Sequence, residues 1–467
     1  KRMKSEKKAK SLNPYLILLS VVVVCAIFSY FVTPGAFDRA VMGGKTIVVP
    51  GSYHSVVRTP VSFFDIFRSI PNGLVGSASI MFLVMLVGGF VKVYNDTGAL
   101  DKAIAKILSF SDKVGSQFIL IIIMIVFSCI GGFLGWSEQI IPFVPLVVSI
   151  CLALGYDVVV GMACSAFVDM IAFSVSPTNV YTVGISHQIA ELPMFSGMGY
   201  RLIILLILQT TVMIYILRYA AKVKKDPTKS LVYDIDVQEL RKDYTNEINS
   251  PMSNKQALAL LTFVITFIVA IYGVLNLSWS MNDLSAVFVL GGIVGGIICS
   301  MGAVNIVNAF IDGAKGSLGG AMVIGIARSI QVVLEQGGLI DPAINMLSQA
   351  LNGLSPWTTA IGVFIVVTLI NAIIPSGSGK AIALMPILIP LADMIGITRQ
   401  TATLAYQFGD GLSNTFWFTN GTLLIFLSMS KIPLQKWYKF ALPLHLILVI
   451  LTVIFLGIAT KIGYGPF

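Results

Sequence analysis

Charged residues are scarce in this sequence, and their scarcity excludes an ordinary soluble protein. Only 11% of the 467 residues are Asp, Glu, Lys or Arg, against about a quarter in a typical soluble domain. Hydrophobic residues make up 56% of the chain, and the mean hydropathy is +0.88. A chain of this composition is expected to lie in a lipid bilayer.

Cysteine and histidine are too few and too scattered for a disulfide framework or a metal centre. The five cysteines lie in apolar stretches without paired spacing, and the three histidines are far apart. A phosphate-binding loop is absent, because Ile374 stands where that motif needs glycine and Ala381 follows Lys380. The net charge of +9 comes from loops between apolar spans and indicates orientation. We therefore expect no cofactor and no nucleic-acid partner.

The chain does contain a tandem duplication. Matching residues are separated by the same 241 positions, including Asp169 and Asp410, Thr178 and Thr419, Asn179 and Asn420, and Ser137 and Ser378. Asp101 and Asp341 are related by an offset of 240. A duplicated membrane protein with interrupted helices is typical of secondary transporters, whose halves build related half-sites at the membrane centre.

The apolar segments predict an all-α polytopic membrane fold. Runs of spanning length lie at about 13–34, 74–95, 200–219, 256–276, 284–305, 317–335 and 438–460. Two further regions, 114–155 and 356–394, are interrupted in the middle and predict re-entrant hairpins. Each is followed by an apolar segment that is broken, at 174–179 and at 411–421. Unpaired backbone is tolerated at membrane depth only against protein or water, so the four interruptions are expected to converge.

The expected organisation has six parts. They are a cytoplasmic basic tail with the first span (1–34), an outside loop containing a β-hairpin (35–73), repeat 1 (74–219), a cytoplasmic linker (220–255), scaffold spans (256–316) and repeat 2 (317–467). The β-hairpin is predicted from 46–51 and 55–57. The Lys and Arg residues of the tail and the linker favour a cytoplasmic position for both segments. Counting membrane crossings from a cytoplasmic N-terminus then gives the two repeats opposite orientations, so the repeats are expected to be inverted.

Polar side chains at the interruptions are candidate substrate ligands. Broken helices expose free N–H and C=O groups, and hydroxyls and amides beside them suit a carboxylate or Na⁺. The candidates are Ser137, Glu138, Gln139, Ser176, Thr178 and Asn179 in the first half, and Ser376, Gly377, Ser378, Gly379, Lys380, Asn414, Thr415, Thr419 and Asn420 in the second. A single Ser or Thr could equally bond a helix carbonyl, but the duplicated cluster favours binding.

Five ionisable residues lie within these apolar regions: Glu138, Asp169, Arg328, Lys380 and Asp410. Each costs at least about 2.5–3.5 kcal/mol at the membrane centre and so needs a partner, a cavity or a function. Asp169 and Asp410 are expected to brace the broken helices or to take part in ion coupling. Glu138 and Lys380 at the hairpin tips would suit a zwitterion, or the Lys380 ammonium could replace a coupling cation. Arg328 is a candidate charge partner, with helix-end packing as the alternative.

The chain resembles a known family, and the motifs that carry the resemblance lie in its second half. The segments 371–380, 385–386, 398–402 and 407–411 are similar to the YfcC-type branch of the four-carbon dicarboxylate anaerobic carrier (DcuC-like) family, within the ion transporter superfamily. The resemblance covers nearly the whole chain. It implies a scaffold, a transport domain that moves like an elevator, and a homodimer. It also implies a dicarboxylate substrate or, in this branch, basic amino acid exchange of the arginine and ornithine type.

The sequence thus predicts a multi-pass secondary active transporter of the bacterial inner membrane for a small carboxylate-bearing solute, preferably an amino acid. The substrate carboxylate is expected at the hairpin-tip amides and hydroxyls, and its cationic part at Glu138 or the aspartate pair. Na⁺ and H⁺ are the candidate coupling ions. A dicarboxylate carrier that uses Lys380 and Arg328 as anion ligands is the alternative. An intramembrane enzyme or a channel would be a different class, and no nucleophile and base stand at a recognisable spacing.

Overall fold

Helices form about three quarters of the structure. The computed structural model describes residues 14–465 apart from 43, 44, 243, 278 and 352, so the basic tail 1–13 lies outside the described residues. The α-helices up to the linker are α1 (Pro14–Phe28), α2 (Phe63–Gly76), α3 (Ala78–Asp96), α4 (Ala99–Val114), α5 (Ser116–Cys129), α6 (Val144–Ala153), α7 (Val158–Met162), α8 (Val168–Phe173), α9 (Ile185–Ile189) and α10 (Met198–Lys225). The remaining ones are α11 (Thr245–Asn249), α12 (Asn254–Leu277), α13 (Met281–Ile298), α14 (Ala303–Gln336), α15 (Ile340–Gln349), α16 (Pro356–Asn371), α17 (Gly377–Ile395), α18 (Arg399–Ser413), α19 (Gly421–Met429) and α20 (Leu434–Ile462).

Eight helical segments of the described chain are long and apolar enough to cross a membrane. They are Ala78–Asp96, Ser116–Leu134, Met198–Lys225, Asn254–Gly273, Met281–Ile298, Ala303–Gln336, Gly377–Ile395 and Leu434–Ile462. The expected all-α polytopic membrane fold is therefore confirmed. The boundary expected between 316 and 317 falls inside α14, which runs without interruption from Ala303 to Gln336.

The helices stop at the predicted interruptions. α8 ends at Phe173 and helical structure resumes at Val180, while α18 ends at Ser413 and α19 begins at Gly421. Pro177 lacks an N–H group and disfavours a helical residue before it, which explains the first break. Asn179 and Asn420 then cap the helices that follow, because their side chains accept hydrogen bonds from the backbone N–H groups of Thr182 and Leu423 at 3.2 and 3.0 Å.

Three π-helical turns distinguish the first half from the second. They are Ile130–Leu134, Ala163–Phe167 and Val180–Gly184. The positions 241 residues after the last two, 404–408 and 421–425, are ordinary α-helix. The described chain also contains 3₁₀ segments at Glu138–Phe143, Pro227–Lys229 and Gln238–Leu240. π-helical turns are rare and often lie at functional sites.

The helices pack in two groups. The flanking group consists of α1, α2, α3, α12, α13 and α14, and the hairpin group consists of α5 to α10 and α16 to α20. The flanking group is held partly by edge-on contacts among the rings of Phe90, Phe267 and Phe288. The groups meet where α14 packs on α19 and α3 packs on the 3₁₀ segment 138–143. The interruptions of the hairpin group therefore lie against the flanking group.

Four short strands form the loop that follows α1, with a pairing that differs from the expected one. β1 (Gly35–Ala36) pairs antiparallel with β4 (His54–Ser55), and β2 (Arg39–Met42) pairs antiparallel with β3 (Lys45–Val48). The prediction that 46–51 pairs with 55–57 is thus wrong. β3 packs on α17 and β1 packs on α15, so the loop lies over the second hairpin.

Two buried aspartates attach the strand loop and the linker to the helices α15 and α4. Asp341 in the first turn of α15 accepts two bonds from Arg39 Nη2, at 2.8 and 2.9 Å. Asp101 in the first turn of α4 lies 2.5 Å from Lys242 Nζ of the linker. The two carboxylates occupy matching positions in the sequence, 240 residues apart. Asp341 thus holds the strand loop and Asp101 holds the linker through the same residue type.

Candidate functional site

A polar cavity lies where the hairpin group meets the flanking group. Its volume is about 290 Å³, close to the lower limit for small-molecule pockets. The hairpin group contributes both hairpin tips and the ends of the broken helices, and the flanking group contributes α3, α13 and α14. The lining residues are Ser77, Ile80, Gly135, Ser137, Glu138, Gln139, Phe173, Tyr181, Met281, Ile324, Ala327, Arg328, Gln331, Pro375, Ser376, Gly377, Ser378, Asp410, Asn414, Asn420, Gly421 and Thr422.

Ten of the residues singled out in the sequence line this cavity. They are Ser137, Glu138, Gln139, Arg328, Ser376, Gly377, Ser378, Asp410, Asn414 and Asn420. They come from both hairpin tips, from the second break and from α14. Residues more than 280 positions apart meet there, as in the 3.5 Å contact between Thr422 Oγ1 and Glu138 Oε1.

Glu138 and Arg328 bring opposite charges to the cavity. Both side chains are half-buried, and among the described residues neither forms an ion pair. Arg328 Nη1 donates to the Gln331 side-chain oxygen at 2.5 Å, which holds the guanidinium on the cavity face of α14. A solute in the cavity can therefore offer each of these groups an opposite charge.

The start of α17 adds a further anion-binding element. Ser376 caps this helix, because its hydroxyl accepts a hydrogen bond from the Gly379 N–H at 3.2 Å. Gly377 and Ser378 form the first turn and line the cavity. A helix N-terminus carries free N–H groups and about half a positive charge, which attract a carboxylate. The second hairpin tip thus complements the Arg328 guanidinium.

Lys380 lies behind the tip and does not line the cavity. It is fully buried, and its ammonium lies 2.7 Å from Asp410 Oδ1. It also donates to Asn371 Oδ1 at 2.5 Å and to the Ile374 carbonyl at 2.8 Å. Three oxygens therefore surround the ammonium, and Asp410 reaches the cavity already paired with a cation.

Comparison with known proteins identifies the family. The sequence profile of the C4-dicarboxylate anaerobic carriers (DcuC) matches residues 13–461. The chain belongs to this family. The predicted family is confirmed, and the protein is a multi-pass membrane transporter.

Similar proteins include two bacterial relatives and one solved structure. An uncharacterised protein of Haemophilus influenzae (strain ATCC 51907) is 30% identical over 405 residues, which cover 86% of this chain and 79% of that protein. YfcC of Escherichia coli (strain K12), named as a candidate basic amino acid antiporter, is 27% identical over 401 residues, covering 83% and 78%. The YdaH transporter of Alcanivorax borkumensis is 14% identical and has a TM-score of 0.45, with 97% of this chain and 100% of that one covered.

Other candidate residues of this DcuC-family transporter connect structural elements instead of lining the cavity. Ser176 Oγ donates to the Gly132 carbonyl at 2.5 Å and Thr178 Oγ1 to the Phe133 carbonyl at 2.8 Å, so the first break is tied to the first hairpin. Four further candidates neither line this cavity nor connect elements through their side chains. Thr415 donates to the Leu412 carbonyl, Thr419 is buried without a described hydrogen-bond partner, Asn179 acts as a helix cap, and Gly379 lines a second cavity.

Asp169 differs from its counterpart Asp410. It is fully buried, it does not line the cavity, and neither carboxylate oxygen has a hydrogen-bond partner among the described residues. The prediction that Asp169 braces the following break therefore has no supporting side-chain bond in the described part of the chain.

Sequence reasoning missed a buried arginine that connects the two halves. Arg201 on α10 is fully buried and its Nε donates to Gln407 Oε1 at 3.0 Å. The Gln407 amide in turn donates to the Ser176 carbonyl in the first break at 2.7 Å. The available signal was an ionisable residue inside an apolar span. A charge at the membrane centre costs free energy and so needs a partner or a function, and this argument, which singled out Arg328, applies equally to Arg201.

A second cavity adjoins the first on the side of the strand loop. Its volume is about 490 Å³, and it is lined by Arg39 and Val56 from the loop, by Glu335 and Asp341, and by Gly379 of the second hairpin. Gln331 lines both cavities.

Proposed function

We propose that the transporter carries a small amino acid by secondary active transport, with the substrate bound in the cavity between the hairpin tips. The observation that carries this proposal is that Glu138 and Arg328 line one cavity without an ion-pair partner among the described residues. A zwitterion would place its carboxylate near Arg328 and the start of α17. Its ammonium would lie near Glu138. Two opposite charges in the same cavity would fix the orientation of the solute.

A basic amino acid is the preferred substrate, and exchange is the preferred mode. The family relative YfcC is named as a candidate basic amino acid antiporter, which supports this choice. The cavity offers a basic side chain the carboxylates of Glu138 and Asp410 against the one guanidinium of Arg328. Lys380 neutralises Asp410, so Glu138 is the carboxylate left without an ion pair among the described residues, and it is the group that a cationic side chain or ammonium would meet.

The proposed movement is a displacement of the hairpin group relative to the flanking group. The two groups pack mainly within themselves and enclose the cavity at their junction. If the halves are inverted repeats, such a movement opens the cavity to one side of the membrane and then to the other. We further propose a homodimer in the bacterial inner membrane with a cytoplasmic N-terminus, and H⁺ or Na⁺ as the coupling ion.

A four-carbon dicarboxylate is the second candidate, and the description of the family favours it. Arg328 and the start of α17 would bind one carboxylate. The other would meet Glu138, which repels it unless Glu138 is protonated. Lys380 is bound to Asp410 and two further oxygens, so it is not free to serve as an anion ligand in this conformation.

The first prediction concerns substrate choice. Purified transporter in proteoliposomes should take up labelled arginine, lysine or ornithine with saturation, and preloading with an unlabelled basic amino acid should accelerate the uptake. Succinate and fumarate should compete weakly, because Glu138 repels the second carboxylate. Protein-free liposomes provide the background. Strong succinate uptake without amino acid transport would establish the dicarboxylate function instead.

The second prediction separates the two charges of the cavity. Glu138→Gln should raise KM for the basic amino acid by about 10- to 100-fold, because a hydrogen bond to a charged group contributes about 1.5–3 kcal/mol. Arg328→Gln should weaken binding of any carboxylate-bearing solute. Glu239→Gln is the matched control, since Glu239 lies on the linker with 82% of its side chain exposed. Normal kinetics in Glu138→Gln would remove that carboxylate from the binding site.

A further inference from the structure

Asp169 is a buried carboxylate that the proposed substrate site leaves unused. Its side chain has 0% exposure, and both oxygens lack a hydrogen-bond partner among the residues that the structure describes. Burial removes water from an ionised carboxylate, and the stabilisation lost must be replaced by donors or by a cation. The described surroundings supply neither, so the carboxylate needs a neutralising ion of its own.

The second half shows the neutralised form of the same arrangement. Asp410, which stands 241 positions after Asp169, lies 2.7 Å from the ammonium of Lys380. The position of Lys380 corresponds to Gln139, whose side-chain oxygen accepts a bond from the Ser137 backbone N–H at 3.0 Å. The first half therefore has a carboxylate at Asp169 but has Gln139 where the second half has the Lys380 ammonium.

The chemistry around Asp169 favours a proton over a metal ion. Asn371 donates to the Asp410 carbonyl and to the Asn414 side chain in the second half. The residues at the matching positions of the first half are Ile130 and Phe173. A sodium ion would need several oxygen ligands, as the carbonyls of unwound helices provide elsewhere. A proton needs one carboxylate oxygen and no further ligand.

We propose that Asp169 is the proton-binding site that couples transport to a proton gradient, and that Lys380 permanently fills the matching place in the second half. The proposal rests on the proposed transport function and names its coupling ion. In the conformation described, Asp169 is a neutral carboxylic acid. Release of the proton leaves one carboxylate anion, so one proton moves per binding event at this site.

The first hairpin covers Asp169 and controls its access to the cavity. A Cβ atom at Gly131 would lie 3.0 Å from Asp169 Oδ1, so the π-helical turn Ile130–Leu134 packs directly on the carboxylate. Glu138, at the tip of the same hairpin, lines the cavity. Displacement of this hairpin would uncover Asp169 toward the cavity, where Glu138 can relay the proton.

The elements packed on α8 differ in charge: α10 also carries Arg218, Lys222, Lys224 and Lys225 toward its C-terminal end, and α18 carries Arg399 in its first turn. The segments 116–134 and 163–167 contain no charged residue, although they include Cys129 and Cys164. On α10, Gln209 donates to the Val168 carbonyl at 3.1 Å and Arg201 is bound to Gln407 of α18. α18 also carries Tyr406 and Asp410, the latter paired with Lys380. Glu138, at the tip of the first hairpin, is the cavity-lining carboxylate that has no ion-pair partner among the described residues.

The test uses the full-length transporter and Asp169→Asn, which mimics the protonated acid. In proteoliposomes with labelled arginine, wild-type accumulation should follow an imposed pH gradient, and a trapped pH dye should report proton movement. Asp169→Asn should retain arginine counterflow, because exchange needs no net proton movement. Accumulation in the variant should fall to the level seen without a gradient. Asp312→Asn, with 56% of its side chain exposed on α14, is the matched control.

Thermal unfolding in detergent supplies a readout that does not need transport. Asp169→Asn should unfold at the wild-type temperature, since it replaces a neutral acid by a neutral amide. Asp410→Asn should unfold at a lower temperature, since it leaves the Lys380 ammonium without its carboxylate. A wild-type protein that carries no amino acid would contradict the proposed function alone. Equal destabilisation by both variants, proton-driven accumulation in Asp169→Asn, or dependence of the wild type on Na⁺ without a pH effect would overturn the proton site.

Discussion

Lys380→Met should destabilise the transporter and abolish transport. The substitution leaves Asp410 buried without its cation, and removal of one partner from a buried ion pair costs about 3–5 kcal/mol. Asn371 also loses a hydrogen bond, because its side-chain oxygen accepts from Lys380. The Asn371 amide donates to the Asp410 carbonyl and to the Asn414 side chain. Asn414 lines the cavity, so the binding surface changes together with the stability. The midpoint of thermal unfolding in detergent and the rate of counterflow measure the two effects.

A double variant distinguishes loss of the pair from loss of the lysine itself. Lys380→Met with Asp410→Asn removes both charges, and replacing a buried pair by neutral groups is often nearly neutral for stability. The double variant should therefore recover most of the unfolding temperature. Lys315→Met is the matched control, because Lys315 is 70% exposed and pairs with the exposed Asp312, and such surface pairs contribute about 0–1 kcal/mol. Wild-type stability in Lys380→Met alone would contradict the buried pair.

The interruptions of the helices were predictable because their causes are local. Pro177 has no N–H group wherever it stands, and Asn179 and Asn420 cap helices through bonds to residues two or three positions away. The continuity of α14 was not predictable in the same way. Asp312 and Lys315 suggest a loop between two spans, yet both are exposed and pair three residues apart along one helix. A charge ends an apolar run without ending the helix.

The site was predictable in its composition but not in its pairing. Ser137, Glu138, Ser376 and Ser378 could be placed near one another from the duplication and from the need of broken helices for a polar environment. The role of Lys380 could not, because it depends on the approach of α17 to Asp410 on α18, which no local pattern encodes. The assignment of Ser137, Glu138, Ser376 and Ser378 as substrate ligands stays a prediction. The strand pairing near 35–55 was missed for a related reason, since short strands carry little register information.

Gly411→Ala should have an effect comparable to that of Lys380→Met, through packing instead of charge. Gly411 lies near the end of α18, where a Cβ atom would stand 2.2 Å from Ser174 Cα and 2.4 Å from Ser174 Cβ. Ser174 is the first residue after α8, so the ends of the two broken helices are in contact at this point. Backbone atoms cannot rotate away as a flexible side chain can. We therefore expect a cost at or above the roughly 1–3 kcal/mol of ordinary overpacking.

The consequence for transport follows from what lies beside this contact. Close helix approaches in membranes depend on small residues, and forcing the two ends apart would shift Asp410 and Phe173, which both line the cavity. Gly316→Ala on α14 is the matched control, because no atom lies within 4 Å of its added Cβ and alanine favours a helix over glycine by about 1 kcal/mol. Gly411→Ala should lose counterflow and unfold at a lower temperature, whereas Gly316→Ala should keep both. Equal behaviour of the two variants would mean that the broken helices do not meet at Gly411 in the working transporter.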